Sequence, residues 1–295
     1  MILLWLMLGC GGPDEAPEAW PSDGCSARAP EPESVSRSTR RDRSMLTDDG
    51  LALALAIRTP DGLDCAGAVV EAPGGFEPGL EQIKEEQAKT LARAGLVVVS
   101  FDPRGRGESE GEEDINGHTG QDDFADLLRW TAAQEGVDPS KVVIWSRSIG
   151  GALAAGALGR HEDLEVQAWV DYECPSWLEE DLDHAATYTH DKMWDLANET
   201  DDPSAWMDER SPAAYIGDVD VPYHRIQGAP DHALDYLRAA STMLSGATSS
   251  PEVTLNGEPV TGEITEIEVK ERAIDGGLEP NGDEATYAIL GAFGG

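Results

Sequence analysis

Residues 141–151, KVVIWSRSIGG, contain the side chains best suited to chemistry. A β-rich run at 142–145 leads into Ser146-Arg147-Ser148-Ile149-Gly150-Gly151, and a small-residue, helix-forming segment at 152–158 follows. Strand, sharp turn and helix in that order place Ser148 at an apex. Ser146 two residues before it and Gly150 two after it are small, as a close approach of strand and helix requires. The helix that starts there offers free backbone N–H groups and a positive dipole end to a developing negative charge. A serine presented in this way is a candidate nucleophile toward an ester or amide carbonyl, provided that a base takes its proton.

The surrounding elements must hold that turn. Residues 44–60 read as a hairpin, a short strand and a longer one joined at Asp48-Asp49-Gly50. Residues 66–72 (AGAVVEA) and 96–101 (LVVVSF) are apolar, β-branched runs of the kind buried in parallel sheets. Helical spacing marks 81–94, 120–134 and 150–159, and further strands fall at 166–171 and 221–227. A helix is expected at 233–244. Strands alternating with helices of this size predict an α/β fold, a doubly wound, mostly parallel sheet with right-handed crossovers. Residues 175–217 break the rhythm with Trp177, His184, His190, Trp194 and Trp206, and read as a helical cap inserted over the sheet. In the last fifty residues, 253–255 and 264–270 read as strands, with no clear core helix.

Composition narrows the partners. Twenty-one basic residues face 57 acidic ones, for a net charge of −36 and a pI near 4.2. Such a chain repels nucleic acid and anionic lipid surfaces. No C-x-x-C or His/Cys cluster has metal-ligand spacing, and no cofactor motif is present, so neither metal nor cofactor is expected. After Cys10 the cysteines are Cys25, Cys65 and Cys174, and a Cys25–Cys65 disulfide would staple the N-terminal segment to the domain. Residues 1–9 read as a signal segment, 10–43 as a Pro-, Ser- and charge-rich disordered tether, and 44–295 as the folded domain. Leu6-Met7-Leu8-Gly9-Cys10 resembles a bacterial lipobox. That resemblance implies lipidation at Cys10, a place in the cell envelope, and membrane contact only through the anchor.

Three further motifs join the Ser148 turn in a fixed order. Pro73-Gly74-Gly75-Phe76 follows an early strand. Asp102-Pro103-Arg104-Gly105-Arg106-Gly107-Glu108-Ser109-Glu110-Gly111 follows the next, and Gly228-Ala229-Pro230-Asp231 follows a late one. Together they resemble the α/β-hydrolase superfamily, in particular its dienelactone-hydrolase-like, prolyl-oligopeptidase-like and cocaine-esterase-like serine hydrolases. The S-x-S-x-G turn is similar to the G-x-S-x-G nucleophile elbow, with Ser146 in the first glycine place. The resemblance implies that Ser148 attacks an ester or amide of a small molecule or peptide. The N–H of Ile149, with one from Gly75 or Phe76, would bind the oxyanion, and Asp231 would orient a histidine. Asp102 and Arg104 would be structural.

The histidine is the departure. In the superfamily it follows the acid, yet no histidine follows His232. His232 adjoins Asp231, and adjacent residues rarely face each other as acid and base, so His118, His184 and His190 stay open as alternatives. Two functions are therefore expected: a serine hydrolase with an unorthodox base, or a hydrolase-fold protein that has lost catalysis and binds a ligand.

Overall fold

A computed structural model describes residues 25–28, 34–80, 82–184, 187–231, 235–276 and 282–293, without the side chains of His184 and Thr187. Cys10, with the expected signal segment, lies outside the described residues. So does His232.

The chain runs β1 (Ser38–Leu46), β2 (Ala52–Pro60), β3 (Ala66–Ala72), α1 (Glu85–Arg93), β4 (Leu96–Phe101), α2 (His118–Ala132) and β5 (Val137–Arg147). After a 3-10 turn at Ser148–Gly150 come α3 (Gly151–Arg160) and β6 (Ala168–Tyr172). The cap then supplies α4 (Leu178–Asp181), α5 (Thr187–Asn198) and α6 (Pro203–Glu209), inside the expected 175–217. The domain closes with β7 (Tyr223–Ile226), β8 (Gly228–Ala229), α7 (Tyr236–Gly246), β9 (Val253–Leu255), β10 (Glu258–Pro259), α8 (Glu266–Arg272), β11 (Ile274–Asp275) and α9 (Asp283–Ala292).

Nine strands form one sheet in the order β1-β2-β4-β3-β5-β6-β7-β9-β10, and its six inner strands from β4 to β9 are parallel. This is the expected doubly wound sheet. Its center is apolar because both faces are covered: every residue of β3 and β4 is buried. On one face α2, α3, α7 and α8 enclose Leu127, Leu153, Met243 and Val269, and on the other α1 and α9 enclose Leu91, Trp145, Ile289 and Phe293.

Three readings are corrected. The structured chain begins before residue 44: β1 starts at Ser38, Val35 is buried, and Ala27 N donates to Asp138 Oδ2 at 2.7 Å. Residues 264–270 hold helix α8 rather than a strand, because Thr265 accepts from Glu268 N while Glu268 accepts from Thr265 N, a reciprocal N-terminal cap. A core helix does exist near the C-terminus, α9, which buries Ala285 and Ile289. The Cys25–Cys65 disulfide is formed, and Cys174 is a buried free thiol.

Candidate active site

β5 delivers Ser148 at its C-terminal end, where the chain must reverse into α3 within one residue. Ser148 takes φ +48°, in the left-handed region that L-residues seldom enter. Its two neighbours explain the small residues. A Cβ on Gly150 would run into the carbonyls of Ala72 and Pro73 at the end of β3. The hydroxyl of Ser146, in the first glycine place, accepts from Trp169 Nε1 at 2.7 Å and lies 3.2 Å from Cys174 Sγ. Serine is thus used here as a small residue that also satisfies a buried indole.

The 73–76 loop lies against this turn. A Cβ on Gly74 would come within 3.3 Å of Ser148 Cβ and 2.8 Å of the Arg147 carbonyl. Gly75 follows at φ +60°. Gln82 clasps the loop, accepting from Gly74 N at 2.9 Å and donating to the Gly74 carbonyl at 2.8 Å. Arg147 donates to the same Gln82 Oε1 at 2.6 Å, and its Nη2 lies 2.8 Å from Glu71 Oε1. Burial pushes the Glu71 carboxyl up, and Arg147 opposes that shift. Residues flanking the expected nucleophile and the expected oxyanion loop are therefore wired to each other.

The DPRGRG turn divides its labour. Asp102, 1% exposed, accepts Leu80 N at 3.0 Å and Glu108 N at 2.9 Å. Arg104 donates to both oxygens of Asp123 at 2.8 Å and to Asp49 at 3.0 Å. Asp102 and Arg104 lock the turn, as expected. Arg106, one position beyond Gly105, reaches instead to the Gly75 carbonyl at 2.9 Å and to Asn116 Oδ1 at 3.1 Å. Asn116 Nδ2 donates to the Ile149 carbonyl at 2.9 Å. Sequence reasoning missed Arg106, Asn116 and Glu71. A buried charge inside an apolar strand was the only signal for Glu71, and nothing in the local sequence joins Asn116 to Ile149.

Asp231 stands just past β8, half-buried, where its Oδ2 accepts from Gln227 Nε2 at 3.1 Å. Gln227 in turn accepts from Arg225, which pairs with Asp171. Glu173, 2% exposed and at φ +51°, sends a second carboxylate to the same edge and accepts from Gly228 N at 3.0 Å.

Four histidine rings are engaged with partners other than Ser148. His118 Nε2 is 3.0 Å from Tyr215 Oη, His161 Nε2 is 2.9 Å from Asp122, and His190 Nδ1 is 3.0 Å from Asp191. His224 Nδ1 meets Thr254 Oγ1 at 3.0 Å, beside a cavity of about 490 Å³ between β7, β9 and α9. The loop after β9 carries Asn256, whose amide is spent on the backbone of Gln227 and Arg272. Burial lowers the His224 pKa against the pull of Glu252. The folded state thus prefers neutral His224, so its stabilising share is full above the unfolded value of ~6.5 and is lost as pH falls below it. Thermal melts at pH 7.5 and 5.5 should show a larger acid loss for the wild type than for His224→Gln. Equal losses would remove His224 from the pH response.

The cap closes over this edge with apolar side chains. Ile149 packs in one buried cluster with Ile115, Leu178, Leu182, Met193 and Met207, with Phe76 and Trp194 half-buried against it. Phe76 meets Tyr188 edge-on, with Lys192 Nζ 4.0 Å above its ring center. Trp206 fastens the cap to the core by stacking at 3.9 Å on Arg210, which donates to the Asp114 carbonyl.

A parallel sheet wound on both faces, with a strained serine between β5 and α3 and a glycine loop against it, defines an α/β hydrolase. Residues 82–244 match the model of the prolyl oligopeptidase family, and the chain belongs to that family. The chain is 28% identical over 181 residues to thiohydrolase apmlB of Arthrinium phaeospermum, covering 57% of each chain. It is 33% identical over 110 residues to thiohydrolase aneE of Aspergillus aculeatus, covering 34% of this chain and 35% of that one. The chain thus spans less than two thirds of the length of these relatives. An esterase of Pyrococcus furiosus superposes with a TM-score of 0.59 at 15% identity, covering 92% of this chain and 98% of the esterase, which speaks for the fold.

Proposed function

We propose that the protein is a serine hydrolase that cleaves a carboxylic ester or thioester through Ser148. The left-handed turn at Ser148, packed against the 73–76 loop, is the observation that carries this reading. Ser148 Oγ attacks the carbonyl, and the N–H groups of Ile149 and Phe76 receive the oxyanion. Asp231 or Glu173, the two carboxylates at this edge, orients the base. The rings of His118, His161, His190 and His224 are engaged elsewhere, and His232, next to Asp231 in sequence, is assigned the role. The thiohydrolase relatives favour thioesters, and the apolar cap cluster around Ile149 and Phe76 suits an apolar acyl group.

A fluorophosphonate probe tests the reading. It should label the wild type, and the label should vanish in Ser148→Ala and weaken strongly in His232→Ala. Folded wild type that neither labels nor turns over short acyl thioesters and esters would leave the second expectation, a hydrolase-fold binding protein. Loss of labelling in His184→Ala but not in His232→Ala would move the base to the cap.

A further inference from the structure

The contacts of Arg106 carry an inference that rests on the serine-hydrolase reading and goes deeper into its site. Arg106 is 4% exposed. Its Nε donates to Glu113 Oε1 at 2.6 Å, its Nη1 to the Gly75 carbonyl at 2.9 Å and its Nη2 to Asn116 Oδ1 at 3.1 Å. Asn116 is 1% exposed, sits at φ +62°, and passes its Nδ2 to the Ile149 carbonyl at 2.9 Å. One buried cation therefore grips the two segments that carry the proposed oxyanion donors.

The Gly75 carbonyl shares its peptide unit with the Phe76 N–H. A guanidinium donating to that oxygen fixes the plane of the peptide. It also draws electron density from the nitrogen, which makes the N–H a stronger donor, because hydrogen bonds in a chain polarise one another. The charge acts from a buried position, where screening is weak. Asn116 meanwhile holds the first turn after Ser148 in place. Arg104, its neighbour in the same motif, pairs with Asp123 and Asp49 and makes none of these contacts.

We propose that Arg106 is a positioning residue of the oxyanion hole, which aims and polarises the Phe76 N–H through the Gly75 carbonyl and steadies Ile149 through Asn116. Glu113, one quarter exposed, tempers that charge from the outside.

The test compares Arg106→Met, Arg106→Lys and Glu113→Gln by kcat and KM on a p-nitrophenyl acyl ester, and by the 15N shift of the Phe76 amide. Arg106→Met should lower kcat on the order of 10- to 100-fold, less than the loss of a direct donor, with KM within about threefold. Arg106→Lys should recover part of the loss. Glu113→Gln should lose no kcat, since only the counter-charge goes. The Phe76 amide nitrogen should move upfield in Arg106→Met. Wild-type kcat in Arg106→Met, or equal losses in Arg106→Met and Glu113→Gln, would overturn the proposal and mark the ion pair as a fold staple. Should Arg106→Met not fold, the opposed responses of Arg106→Lys and Glu113→Gln decide in the same way. An inert wild type would sink the hydrolase reading, and an unmoved Phe76 amide would still overturn the role of Arg106.

Discussion

Replacing Ser148 with glycine should abolish turnover and at the same time make the protein more stable. The loss in kcat should be on the order of 10⁴-fold or more, as expected when a nucleophile is removed and binding groups remain. The gain arises because Ser148 is held at φ +48°, where an L-residue costs roughly 1–2 kcal/mol and glycine costs little. Glycine returns part of that gain through the greater freedom of its unfolded chain, roughly 0.4–1 kcal/mol. A net rise of roughly 0.5–1 kcal/mol remains, about 2 °C in Tm for a domain of this size. Calorimetry of the wild type, Ser148→Ala and Ser148→Gly reads it directly. Alanine removes the hydroxyl with its contacts and keeps the strain, so it should melt no higher than the wild type and below Ser148→Gly. A Ser148→Gly protein that melts several degrees lower would contradict the strain argument, and retained turnover would contradict the assignment of the nucleophile.

Replacing Asp171 with alanine should cost about 3–5 kcal/mol of stability, the range for breaking a buried ion pair. Asp171 and Arg225 face each other from β6 and β7 with no exposure, and Arg225 Nη1 donates to Asp171 Oδ2 at 2.7 Å. The Tyr223 hydroxyl donates to the same oxygen, and Cys174 N donates to Oδ1 at 3.1 Å. Burial opposes the charge on Arg225, yet Asp171 and Tyr223 outweigh it and hold the pKa above its ordinary range. Alanine would leave that cation buried without its counter-charge. The double variant Asp171→Leu/Arg225→Met should recover much of the loss, because an apolar pair of similar volume is often no worse than a buried ion pair. Urea unfolding of the wild type and the two variants measures this. A single variant within about 1 kcal/mol of the wild type would show that the pair is not the clamp described. Activity should fall too, since Arg225 also donates to Gln227, which donates to Asp231.

The parallel core was legible because it is buried on both faces. LVVVSF at β4 and AGAVVEA at β3 have no solvent face to encode, so composition alone names them as central strands. The edges carried no such signal. In β1, STRRDRSML presents charge to solvent on most of its length, and it reads as tether until its pairing with β2 is seen. In residues 264–270 the alternation of Thr265, Ile267 and Val269 imitates a strand, while the Thr265–Glu268 cap decides for a helix. The helix α9 is built on alanine and glycine around Ile289, too mild a pattern to stand out. In the candidate site, the turns that hold Ser148, Gly75 and Asp231 were legible from the local sequence. Arg106–Asn116–Ile149 was not, because it joins residues 10 and 33 positions apart that only the three-dimensional fold brings together.

The disulfide between Cys25 and Cys65 determines how force enters the molecule. A pull applied upstream of Cys25 passes through the covalent bond to Cys65, in the connection between β2 and β3, and so reaches the center of the sheet. The edge strand β1 lies in the bypassed loop between the two cysteines and bears none of the load. Without the bond the same pull would first strip Ala27 from Asp138 and Val35 from Arg93, and then unzip β1 from β2 one residue pair after another. With it, a pull from upstream of Cys25 is carried to the buried center of the sheet rather than to its edge.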